Sequence, residues 1–315
     1  MKFVKRLLKA ALVAVVVLVA ATFALFGYRD RTVEELSPKY AQPPSAFMQV
    51  ESTSAHYRDE GTSTERLPIV LLHGTSSSLH TFDAWAERLS TQRRVLRVDL
   101  PGFGLTGPFP DRDYSIQHYV HWLHAFLQQS NVTHFVLVGN SLGGNIAWNY
   151  VARYPDSVDK LILIDSSRYP IAAQSTPLAF RLAQTPVLKH GLKWITPRFM
   201  AQSSVINVYA DSSKVTDPLI DRYFELTLRA GNRQALGDRF KSQSPPDTSL
   251  IKAIQQPTLI LWGAQDRLTP LELAHRFHED LPNSQLVVLE NTGHVPMEES
   301  PQESLQAVLS FLGSP

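Results

Sequence analysis

Cysteine is absent from the 315 residues. That excludes disulfides, thiol catalysis and thiolate-bound metals. Neither sign of charge is in excess: 30 lysines and arginines stand against 29 aspartates and glutamates. A near balance leaves no electrostatic footprint for nucleic acid, so none is expected as a partner. Dense His/Asp/Glu clusters with ligand spacing are lacking, as is a glycine loop built to cradle phosphate, so neither metal nor organic cofactor is expected. The formal match Gly102-x-Gly104-x-x-Gly107 is followed by Pro108 and Pro110 instead of a helix, and reads as a loop after a strand. Internal repeats and low-complexity tracts are missing too, and nothing specifies an oligomeric state.

One long apolar run is present. Lys2, Lys5, Arg6 and Lys9 precede an uncharged stretch over residues 10–26, 17 residues long. That is near the lower limit for crossing a bilayer. The basic flank would stay cytoplasmic, which puts the rest of the chain on the far side. The expectation is a bacterial inner-membrane protein with residues 1–28 as anchor or signal sequence and the catalytic body in the periplasm. Cleavage near Val19-Ala20-Ala21 and secretion is the alternative, although the run exceeds the usual signal core of about 7–15 residues. Residues 29–44 are polar and proline-marked and read as a tether. A chain starting near Pro43 is therefore expected to be soluble and active.

From residue 45 onward, short β-rich runs alternate with helical patterns. Strand patterns are Phe47 to Glu51, Ala55 to Arg58, Leu67 to Leu72, Arg94 to Asp99, His134 to Val138, Leu161 to Ile164, Pro257 to Gly263 and Gln285 to Leu289. Helical patterns cover 82–89 and 116–128. This rhythm predicts an α/β fold with a mostly parallel sheet covered on both faces. Over residues 166–250 strand patterns vanish and segments 178–188, 195–208 and 218–230 look helical. The expected organisation is a core in two parts, 45–165 and 251–315, with a helical cap (166–250) inserted over the strand ends. Apolar cap residues including Phe180, Val187, Leu188, Trp194, Phe199 and Met200 would divide between packing and an apolar pocket.

The most informative stretch is Gly139-Asn140-Ser141-Leu142-Gly143. A strand pattern precedes it and a helical pattern, closed by Pro155, follows. Strand, sharp turn and helix hold a serine in a strained backbone and expose its hydroxyl, and only small residues fit beside it. A serine hydroxyl needs a base, and the base an orienting carboxylate. Asp266 lies in the loop after the strand pattern ending at Gly263, and His294 follows the next strand. Both fall on the sheet edge of the serine, in the chain order Ser, Asp, His. Asp165, after Ile164, is the rival acid. The backbone N–H groups of Leu142 and of Thr75, in the loop opened by His73-Gly74, are the expected oxyanion donors. His73 reads as shaping that loop rather than as a second base.

These residues resemble the capped, serine-nucleophile branch of the α/β-hydrolase superfamily. The resemblance spans roughly residues 45–312. It rests on His73-Gly74, Asp99-Leu100-Pro101-Gly102-Phe103-Gly104, Gly139-Asn140-Ser141-Leu142-Gly143-Gly144, Trp262-Gly263-Ala264-Gln265-Asp266 and Gly293-His294-Val295-Pro296. Thr106 departs from the serine more usual after that second motif. Together with the N-terminal run, the elbow is similar to bacterial esterases and lipases of lipolytic family V. The resemblance implies an α/β-hydrolase fold and hydrolysis of small lipophilic esters through an acyl-enzyme on Ser141. It also admits a C–C bond hydrolase of ring-cleavage products with the same triad, against which the apparent export segment counts. Ser141 argues against the branches that place Asp at the nucleophile position. A non-catalytic ligand-binding protein on the same fold would predict a damaged triad, and every part is present.

Overall fold

Apolar residues at consecutive positions make the central strands two-faced. In the computed structural model, which describes residues 2–62, 65–167, 169, 174–185, 194–242, 245 and 247–313, these strands form one eight-stranded sheet. The strands are β1 (Ser45–Val50), β2 (Thr53–Glu60), β3 (Ile69–Leu72), β4 (Val95–Val98), β5 (Phe135–Asn140), β6 (Val158–Ile164), β7 (Thr258–Gly263) and β8 (Ser284–Leu289). Their spatial order is β1-β2-β4-β3-β5-β6-β7-β8. The β1–β2 hairpin pairs antiparallel to the rest, and β4 through β8 run parallel.

Alternate side chains leave each strand on opposite faces. Val70, Leu72, Leu137, Leu161, Leu163 and Ile260 join one buried cluster, and Ile69, Leu71, Val136, Val138, Ile162 and Leu261 the other. Parallel strands buried on both sides require helices on both faces. Before the sheet come α1 (Lys2–Phe26) and α2 (Val33–Tyr40); α3 (Asp83–Leu89) follows β3, α4 (Ile116–Gln129) follows β4, and α5 (Leu142–Arg153) follows β5. Between β6 and β7 lie α6 (Leu178–Gln184), α7 (Arg198–Val208), α8 (Asp217–Thr227), α9 (Asn232–Lys241) and α10 (Ser249–Lys252). The chain closes with α11 (Leu271–Asp280), α12 (Pro296–Glu299) and α13 (Pro301–Leu312). Helices α4, α5 and α11 cover one face and α3 and α13 the other.

The sequence pattern over 178–188 becomes the shorter α6, with 186–188 outside the described residues. Helix α7 starts at Arg198 and not at 195, because Pro197 serves as its cap and Ile195 bridges to Gly27. Helix α9 carries too many polar residues for an apolar stripe and has no counterpart in the sequence pattern.

Residues 29–44 do not run free, which corrects the tether expectation. Thr32 caps α2 through a reciprocal capping box with Glu35. Leu36 and Tyr40 are buried, and the Tyr40 hydroxyl donates to Glu225 Oε2 at 2.5 Å. Asp30 pairs with the buried Arg233 at 2.6 Å. The segment packs because it supplies an apolar face and a carboxylate to cap residues that need both.

Register brings the strand ends together. Asn140 aligns with Ile164, and Ile164 with Leu261, so Ser141 and Asp165 leave neighbouring strands at one level. Asp266 follows the end of β7 by three residues, and His294 follows β8 on the same edge.

Candidate active site

Ser141 turns the chain from β5 into α5 with φ 53° and ψ −110°. Such backbone is sparsely populated for a residue with a Cβ, costs about 1–3 kcal/mol and persists only where neighbours enforce it. Here they do. The Ser141 N–H donates to Ile164 O at 3.0 Å, and its carbonyl accepts from Asn145 N–H at 3.0 Å. The turn is too tight for side chains: a Cβ on Gly139 would meet Gly143 O at 2.2 Å, and one on Gly143 would meet Leu72 O at 2.2 Å. The glycines of the motif are thus set by packing.

His294 Nδ1 bonds Asp266 Oδ2 at 2.6 Å, and both residues are nearly buried. Asp266 is fully satisfied. Its Oδ1 accepts from Leu268 and Thr269 N–H at 2.7 and 3.0 Å, and Oδ2 also takes the Thr269 hydroxyl. Burial acts to raise this carboxyl, but His294 and the Thr269 donors hold it below the ordinary aspartate range. The histidine backbone is fixed from two sides. Asn140 Nδ2 donates to His294 O at 3.0 Å, and His294 N–H donates to Val208 O at 2.8 Å.

Asp165 lies beside this pair, fully buried with φ 43°. Its Oδ1 accepts from Gly263 N–H at 3.0 Å. Burial, then the charge on Asp266, pushes its carboxyl well above the ordinary range. The two carboxyls are pushed apart: burial and the neighbouring charge raise Asp165, while His294 and the Thr269 donors lower Asp266. Asp266, and not the rival Asp165, is the one that bonds His294. Single ligand atoms of Asp165, Asp266 and His294 lie within 4.8 Å of one another. The direct Asp266–His294 hydrogen bond and the donors on Asp266 already occupy these ligand atoms, which makes this a poor cation site.

Thr75 and Ser141 line the same cavity as His294, with Leu142 opening α5 behind the serine. Among the described residues neither the Thr75 nor the Leu142 N–H donates to a protein group. His73 is wholly buried and bonded at both ring nitrogens, Nδ1–H to Gly74 O at 2.7 Å and Nε2 from Leu100 N–H at 2.9 Å. Burial lowers its pKa, so it is a neutral brace for the loop.

The cavity has a volume of about 90 Å³ and is open at its mouth. Most of its lining comes from the cap, with Phe180, Met200, Val205, Val208, Phe224 and Leu236 as the large apolar side chains, joined by Leu268 and Val295. Lysine and arginine are absent from the described lining residues.

Three groups escaped sequence reasoning. Asn140 positions His294 through the carbonyl bond given above. Glu299 is buried and accepts from Gly293, Ala210 and Asp211 N–H at 2.7, 3.1 and 2.8 Å, which ties the histidine loop to the cap. Ser45, His56 and Asp99 repeat the bonding order of the site, at 3.0 and 2.7 Å. Arg58 also holds Ser45 Oγ, at 2.9 Å, and Asp99 accepts from Leu79 and Leu105 N–H. The Ser141 cavity does not reach them. That network fastens loops to β2, and its resemblance to a triad is one of bonding order alone.

A family model described as the α/β-hydrolase fold matches residues 68–301. A 2-hydroxy-6-oxononadienedioate/2-hydroxy-6-oxononatrienedioate hydrolase of Burkholderia vietnamiensis is 30% identical over 82% of this chain and 90% of its own. Among solved structures, a lipase-like protein of Acinetobacter baumannii is 27% identical with TM-score 0.71, covering 90% of this chain and 97% of its own. A membrane phospholipase A described as a bacterial virulence factor is 26% identical with TM-score 0.71, covering 99% of this chain and 98% of its own. The fold, the sheet order and the family match agree, and the chain belongs to the α/β-hydrolase family as a hydrolase.

Proposed function

We propose that the protein is a serine carboxylic-ester hydrolase acting on lipophilic esters, anchored in a membrane by its N-terminal segment. The observation that carries this reading is one cavity that joins Ser141, on its strained turn, to the Asp266-bound His294 beneath an apolar cap wall.

In the proposed reaction His294 takes the Ser141 proton as the hydroxyl oxygen attacks the ester carbonyl. Asp266 orients the imidazole and stabilises its charged form. The Thr75 and Leu142 amides hold the oxyanion, each such donor being worth about 10²–10³ in rate. Collapse of the tetrahedral species breaks the C–O bond, and His294 returns the proton to the departing alcohol. Water, deprotonated by His294, then attacks the acyl-serine and releases the acid. The chemistry is supplied by these side chains and amides.

The relative from Burkholderia supports a second reading, C–C bond hydrolysis. Its substrates, by its name, are dicarboxylates. A lining without lysine or arginine among the described residues is a poor match for two carboxylates. The apolar wall supports the ester.

Initial rates of the full chain on p-nitrophenyl esters from acetyl to palmitoyl, with Ser141→Ala as control, test the proposal. Serine-dependent turnover is expected. Inactivity on every chain length, with turnover of a 2-hydroxy-6-oxo-dienoate, would overturn it in favour of the second reading.

A further inference from the structure

Helix α1 is 25 residues long; its basic first turns carry Lys2, Lys5, Arg6 and Lys9, and its uncharged part, residues 10–26, rises about 25 Å against a hydrocarbon core of about 30 Å. Leu8, Leu12, Val13, Leu18 and Leu25 are each more than 60% exposed. Residues 10–26 are apolar and bare on every side, the character of a helix that sits in lipid. Its C-terminal end is not a loose joint. Gly27 bridges to Ile195, Tyr28 N–H donates to Trp194 O at 3.1 Å, and Thr196 N–H donates to Phe26 O at 3.3 Å. The Phe26 and Phe199 rings meet edge to face at 6.1 Å.

Two large apolar side chains of this cap segment are left open to solvent. Trp194 is 61% exposed and Phe199 52%. Neither lines the cavity, but their neighbours Thr196 and Met200 do. The segment therefore has one side in the cavity wall and the other at the level where α1 leaves the bilayer. Charges there are matched: Arg198 pairs with Asp217 and Asp221, and Arg233 with Asp30. Aromatic side chains at that depth favour the headgroup region.

We infer that the Trp194–Phe199 face of the cap docks on the surface of the bilayer that holds α1, so that the cavity takes its ester from the lipid phase. This rests on the membrane reading of α1. The partner is a lipid surface, and the substrate class is a long-chain ester partitioned into it.

Trp194 allows a direct test. Trp85, Trp122, Trp148 and Trp262 are all at most 1% exposed, so Trp194 is the accessible emitter. The full chain is reconstituted in dioleoyl phosphatidylcholine vesicles and in vesicles of the same lipid dibrominated on its acyl chains. The expected result is quenching by the brominated lipid of an emission component that Trp194→Phe removes. Protein that floats with the vesicles yet shows no such quenching overturns the docking and leaves the anchor intact. Protein that does not float overturns the anchor, and the docking with it. Phe199→Asp gives an independent readout. It should slow hydrolysis of vesicle-borne p-nitrophenyl palmitate severalfold and leave p-nitrophenyl acetate unchanged. An equal loss on both esters, or none on either, contradicts the docking.

Discussion

The backbone N–H of His294 donates to the carbonyl of Val208 at 2.8 Å. One residue belongs to the proposed base, the other to the last turn of cap helix α7. The cap and the histidine loop are therefore a single mechanical unit, with Glu299 as the second fastening.

Removing that fastening should be felt at both ends. Glu299→Gln replaces an oxygen that accepts from N–H donors with an amide NH₂ that cannot accept. Unsatisfied buried groups cost about 1–3 kcal/mol. The expected outcome is a lower melting temperature together with a reduced kcat on a soluble ester. A variant with wild-type melting and kcat would show that the loop is held elsewhere.

The two buried aspartates should differ sharply in kinetics. Asp266→Asn removes the charged partner of His294, a change worth about 10⁴ in kcat in triads of this kind. Asp165→Asn replaces a carboxyl whose pKa burial raises with its neutral isostere and should stay within about tenfold of wild type. The opposite ranking would transfer the acid role to the β6 end.

The same substitution predicts a pH effect on stability. The Asp165 pKa is raised in the folded chain, while the unfolded chain titrates near 3.9. Below that value both states bind the proton and nothing differs. As pH rises past it, the unfolded state gives up its proton while the folded state keeps its own, so stability falls until the folded pKa is reached. Asn at 165 cannot titrate. The melting-temperature advantage of Asp165→Asn over wild type should therefore grow from pH 4 toward neutrality, and an advantage that shrinks over this range contradicts a raised Asp165 pKa.

Truncation should separate the apolar helix from the packed segment after it. Removal of residues 1–25 leaves Phe26, Asp30 and α2 in place, and the body should remain folded. Removal of residues 1–44 deprives Arg233 and Glu225 of Asp30 and Tyr40 and uncovers the surface under Leu36. Arg233 is buried but Asp30 is about half exposed, so the loss from that pair is smaller than for a fully buried one. The longer truncation should aggregate or melt well below the shorter one; equal melting would restore the tether reading.

Much of the site was legible because it follows local rules. Glycines appear where no Cβ fits beside Ser141, and apolar runs mark strands whose ends carry Asp266 and His294. Other features depend on distance. Asn140 acts on a residue 154 positions away, and Glu299 on Ala210, 89 positions away, which no local pattern reveals. Helix α2 did leave a local trace, Thr32 followed by Glu35, but Pro38, Pro43 and Pro44 gave its surroundings the look of a linker. The division between Asp165 and Asp266 follows from burial and partners, which sequence does not display.

The contacts that seat the N-terminal segment on the body begin at Phe26, downstream of Val19-Ala20-Ala21. A peptidase cutting there would leave every one of those contacts intact. Such a protein would keep its shape, so the apolar helix and the integrity of the body are separable features of this chain.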